Sequence, residues 1–106
     1  MSFKPFYIHR QNNQPKRKRN HSMSAGFTML IEPSEIPRTI NVRVTLCSIK
    51  DEFSRKKGRE EVSKKAVLAV NPRDLPKLIA DTENKIYGGK LPAAYAHEEW
   101  VYKYML

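Results

Sequence analysis

The chain has 106 residues, enough for one domain whose core removes roughly two-thirds of the unfolded surface from water. Its 40% hydrophobic content is globular rather than disordered, and its single cysteine excludes an intramolecular disulfide or an all-cysteine metal site. Twenty Lys+Arg against eleven Asp+Glu leave a net charge of +9, which points to polyanionic partners.

The excess charge is localised. Residues 1–31 hold Lys4, Arg10, Lys16, Arg17, Lys18 and Arg19 with no acid. Residues 50–65 hold seven cations and four acids, and the rest of the chain is balanced. No apolar run approaches the ~20 residues of a membrane span, and no secretory apolar region opens the chain, so a cytoplasmic protein is expected.

In chain order, residues 1–25 read as a flexible basic arm and 26–106 as a single domain. Gln11–Pro15 is polar and aperiodic, and the tetrad Lys16, Arg17, Lys18 and Arg19 repels itself, so little offsets the entropy of ordering it. Phe3, Phe6 and Tyr7 read as a small apolar anchor onto the domain, with base stacking as the alternative. Phe27–Ile31, between Gly26 and Pro33, predicts a strand. Pro33 and Pro37 forbid a helix in the loop that follows. Thr39–Cys47 alternates apolar and polar residues and predicts a half-buried strand, with Ile40, Val42, Val44 and Leu46 on one face. An antiparallel pair of 27–31 with 39–47 is the simplest local pairing.

Ser48-Ile49-Lys50-Asp51 has the spacing of a helix N-terminus, with Ser48 as cap. The preferred reading of 49–65 is a helix that stops or bends at Gly58. Its weakness is that Ile49 and Phe53 lie opposite Val62 on a helical wheel, and a hairpin turning at Lys57-Gly58 stays open. Either way Arg55, Lys56, Lys57 and Arg59 are exposed. Ala66–Val70 predicts a buried strand. Asp74 as cap, Pro76 in the first turn, and Leu75, Leu78, Ile79, Thr82 and Ile86 on one stripe predict a helix ended by Gly88-Gly89. Residues 90–97 read as a linker. Residues 98–106 read as a strand whose Trp100, Tyr102 and Tyr104 share one face, where they cover the core or stack nucleobases. The expected fold is α+β: a small mixed sheet of three to four strands packed against one or two helices, with the N-terminal arm.

Catalytic and metal chemistry find little support. His9, His21 and His97 are scattered and Cys47 has no ligand-spaced partner, so no metal and no cofactor is expected. Cys47, late in a strand, reads as an inert thiol before a nucleophile. Ser48, Lys50 and Asp51 sit at a strand-to-helix passage suited to phosphate, but no glycine-rich loop precedes it. No enzyme is expected.

The segment Cys47–Arg59 (CSIKDEFSRKKGR) resembles a type of segment found in small uncharacterised bacteriophage proteins. That resemblance implies an accessory or host-takeover protein acting in a bacterial host's cytoplasm. In a eukaryotic source, the tetrad Lys16–Arg19 reads instead as a nuclear import signal. The primary functional expectation is non-enzymatic nucleic-acid binding, DNA or RNA, with weak sequence preference, through Lys16, Arg17, Lys18, Arg19, Arg55, Lys56, Lys57 and Arg59. The alternative is an inhibitor or adaptor that docks on an acidic host protein.

Overall fold

The structure, a computed structural model, describes residues 3–88. Strands β1 (Phe6–Gln11), β2 (Ser24–Pro33), β3 (Ile40–Ser48) and β4 (Leu68–Val70) form one sheet in the order β1-β2-β3-β4. Every neighbouring pair is antiparallel, so the α+β class is as expected but the sheet is not mixed. Helix α1 (Arg55–Val62) lies between β3 and β4, and helix α2 (Leu75–Ile86) follows β4 through a short 3-10 turn. The expected aromatic strand with Trp100, Tyr102 and Tyr104 lies outside the described residues.

Residues 6–11, expected within the arm, instead form the edge strand β1. Phe6 and Ile8 alternate with Tyr7 and His9, and β1 pairs from Phe6↔Ile31 to Gln11↔Gly26. Edge pairing supplies its backbone hydrogen bonds without needing a strongly apolar sequence.

The pleat sorts the sheet into two chemically different faces. Phe27, Met29, Ile31, Ile40, Val42, Val44, Leu68 and Val70 share one face and pack with Leu78 and Ile86 of α2. Burying each such side chain contributes about 1.5–3 kcal/mol. Phe3 and Ile8 pack against the edge of this cluster, so Phe3 anchors the N-terminal segment while Phe6 and Tyr7 stay largely exposed. The other face carries His9, Gly26, Thr28, Thr45 and Cys47 and is covered by α1.

Helix α1 starts six residues later than Ser48 as cap would place it. Ser48 remains in β3 and opens a turn, accepting the Lys50 and Asp51 amides through its hydroxyl (3.3 Å) and carbonyl (3.0 Å). Ser54 is the cap, its hydroxyl accepting the Lys57 amide at 3.3 Å. Phe53 thus falls before the helix, which removes the wheel conflict with Val62, and the hairpin alternative does not form. Gly58 and Val62, one turn apart, face the sheet. A Cβ on Gly58 would collide with Thr28 Oγ1, so the glycine that weakens the helix by about 1 kcal/mol also permits its closest approach to β2. Beyond α1, Arg43 on β3 donates from Nη1 to the carbonyls of Lys65 (2.7 Å) and Ser63 (3.5 Å), and its Nε pairs with Glu32 at 3.0 Å.

At α2, Asn71 caps the preceding turn, its Oδ1 accepting the Arg73 amide at 3.0 Å, while Asp74 makes no capping bond. Gly88, at φ 81°, provides the expected left-handed stop. Asn12 is 1% exposed and ties three elements together. Its Nδ2 donates to Ser24 O and Ile86 O, both at 2.9 Å, its Oδ1 accepts from Gln14 N at 2.8 Å, and its own amide donates to Ala25 O. The segment after β1 is therefore bonded to the start of β2 and the end of α2.

Three stability outcomes follow. Asn12→Ala strands two carbonyls and an amide and should cost about 2–4 kcal/mol in urea unfolding. Gly58→Ala should destabilise by about 1–3 kcal/mol through overpacking rather than yield the gain alanine brings to a helix interior. The double variant Gly58→Ala/Thr28→Ala should lose less than the sum of the two single losses, because removing Thr28 Oγ1 opens the space the new methyl needs.

Candidate functional site

The seating of α1 distributes its cations. With Gly58 and Val62 turned to the sheet, the 100° step puts Arg55 and Arg59 on one flank, Lys57 on the other, and Lys56 outward. The electrostatics agree: Arg55 and Arg59 are the cations acting on His9 of β1, and Lys57 is the one acting on Cys47 of β3. All four are exposed. Arg10–Glu83, Arg43–Glu32 and Lys64–Glu61 are ion-paired, and among the described residues Arg55, Lys56, Lys57 and Arg59 are not.

On the Arg55/Arg59 flank runs a row of three rings. Phe53 meets His9 edge-on, with centroids 6.2 Å apart, and His9 lies nearly parallel to Tyr7 at 6.0 Å. Phe53 packs over Gly26, where a Cβ would come within 2.6 Å of its ring. His9 Nδ1 is hydrogen bonded to Thr28 Oγ1 at 2.9 Å. Burial lowers the His9 pKa from its ordinary 6.5, and the Arg55 and Arg59 guanidiniums lower it further.

Past Phe53 the row opens into a cleft of about 670 Å³ between residues 19–21 and 49–53, lined on one side by Arg19, Asn20 and His21 and on the other by Lys50, Asp51 and Glu52. The end of the first basic segment and the approach to the second therefore share one cleft, although two acids also line it. Arg17 and Lys18 are exposed on a 3-10 turn, and the Lys16 side chain lies outside the described residues. Arg19 is partly committed: its Nε donates to Gln14 O at 2.9 Å and its Nη2 to Asn12 O at 3.2 Å.

Cys47 Sγ lies 3.7 Å from the carbonyls of Ser48 and Glu52. Burial, then the Asp51 carboxylate, push its pKa above 9.0 despite Lys57, so it remains a protonated thiol at neutral pH rather than an activated nucleophile. Among the described residues no group of three or more His, Cys, Asp or Glu side chains is placed to hold a metal. No described helix is long and apolar enough to cross a membrane.

Sequence reasoning missed His9 as a neighbour of the α1 cations, and Tyr7 as the ring beside it. The available signal was the short run of β-favouring residues Phe6, Tyr7 and Ile8, masked by the basic tetrad that follows. No known protein family, curated protein or solved structure matches the chain.

The lowered His9 pKa gives stability a pH dependence. The unfolded chain binds the proton more readily, so His9 costs nothing above 6.5 and destabilises the fold as pH falls from 6.5 toward the lowered value. The unfolding midpoint should drop across that window. His9→Gln should lose this part of the slope, and added salt should flatten it by screening Arg55 and Arg59.

Proposed function

We propose that the protein is a small, basic, non-enzymatic nucleic-acid-binding protein with weak sequence preference. The observation that supports this best is that Arg55, Lys56, Lys57 and Arg59 form an exposed cluster on α1 outside every ion pair of the described residues. Arg17 and Lys18 on their turn, with Lys16 and Arg19, provide the second group of phosphate contacts. Point charges on exposed stems neutralise phosphates but read few base edges. On the 47–59 resemblance, we propose that it is a phage-type accessory protein acting in a host bacterial cytoplasm.

Neutralising phosphates releases counterions, so affinity should fall steeply with salt. With all eight cations on a duplex, the slope of log K against log salt is about −7, at about 0.9 per phosphate. Replacing Arg55, Lys56, Lys57 and Arg59 together with glutamine should flatten it by about 3 to 4, measured by fluorescence anisotropy from about 50 to about 300 mM salt. Absence of binding to duplex and single strand at about 50 mM salt overturns the reading.

The second reading is an adaptor or inhibitor docked on an acidic host protein, favoured by one feature: among the described residues β1 is paired on one side only, leaving an edge open to an added strand. Recovery of one stoichiometric protein partner from nuclease-treated lysate supports docking, whereas loss of every partner after nuclease supports nucleic acid.

A further inference from the structure

We propose that the nucleic acid taken by this face is single-stranded, with an unpaired base stacked on Tyr7 and the adjoining phosphates held by Arg55 and Arg59. The inference rests on the nucleic-acid reading and specifies its ligand. Tyr7 is 40% exposed and points to the α1 side of the sheet, away from the apolar cluster of Phe27, Met29 and Ile31. Phe53 has a structural reason to be where it is, since it fills the space over Gly26. Tyr7 has none of that kind: among the described residues its side chain makes no hydrogen bond, and its one ring contact is the near-parallel His9. Its ring nonetheless continues the Phe53–His9 row, next to the histidine on which both arginines act.

A paired duplex keeps its bases stacked inside and would engage the cations while leaving these rings idle. A single strand presents both groups the face can use: phosphates for the guanidiniums and π-faces for the rings. Arg55 and Arg59 are spaced about 6 Å along the helix axis, so they flank the strand on the same side as the rings. At the other end of the row, the cleft of about 670 Å³ has room for a further unpaired base, with Gln11, Asn20 and His21 among its polar walls.

The test measures binding of a labelled oligothymidylate, a labelled oligouridylate and a blunt duplex of equal length to the full chain by anisotropy. The single strands should bind more tightly than the duplex. Tyr7→Ala should lower the single-strand-to-duplex affinity ratio about tenfold, and Tyr7→Phe, which keeps the π-face, should restore it. Because Tyr7 is exposed, an unchanged unfolding midpoint confirms that the variants stay folded. Salt-sensitive binding in which the duplex matches or exceeds the single strands, or in which Tyr7→Ala leaves the ratio where it was, overturns this inference alone. Failure to bind any of the three probes overturns the nucleic-acid reading beneath it.

Discussion

The close seat of α1 on β2, at Gly58 against Thr28, is the constraint on which the rest of the polar face depends. Any other residue at 58 would set a Cβ against Thr28, so that either Thr28 or the helix must shift. Here it lies low enough for Arg55 and Arg59 to act on His9 and for Lys57 to act on Cys47. Two further contacts hold the arrangement. Arg43 bonds the chain as it leaves α1, and Asn12 bonds the N-terminal segment to β2 and α2.

The sheet divides labour between its faces. One is apolar and closed by α2, so most of the hydrophobic driving force is spent there. The other face is freed from that role and carries threonines, a histidine, a cysteine and a glycine under a short, strongly basic helix. A helix with so little apolar surface is held by fit and capping more than by burial: Val62 is its only buried residue.

Both shifted groups beneath α1 move toward neutrality. Burial and arginines keep His9 deprotonated, and burial and Asp51 keep the Cys47 thiol protonated. Positive charge on this face is therefore carried by Arg55, Lys56, Lys57 and Arg59. Their neutral underlayer neither quenches nor competes with them. Glu60 and Glu61 on α1, and Asp51 and Glu52 at the neighbouring cleft, are the acids nearest to these cations.

The central hairpin, β4 and α2 were legible in the sequence, because alternation in 39–47, the run at 66–70 and the stripe from Leu75 to Ile86 are properties of contiguous residues. The basic composition of the candidate site was legible for the same reason. The sequence left the start of α1 open between Ser48 and Ser54, since both can cap and only the extension of β3 through Ser48 excludes the first. It concealed β1, whose order comes from pairing with β2 rather than from its own residues. By itself, then, the chain determined which segments are apolar, which are basic and where most of them turn. Only the tertiary structure brought His9, with Tyr7 alongside it, to Arg55 and Arg59, because that meeting depends on strand register and on a glycine's missing side chain, and neither leaves a pattern in adjacent residues.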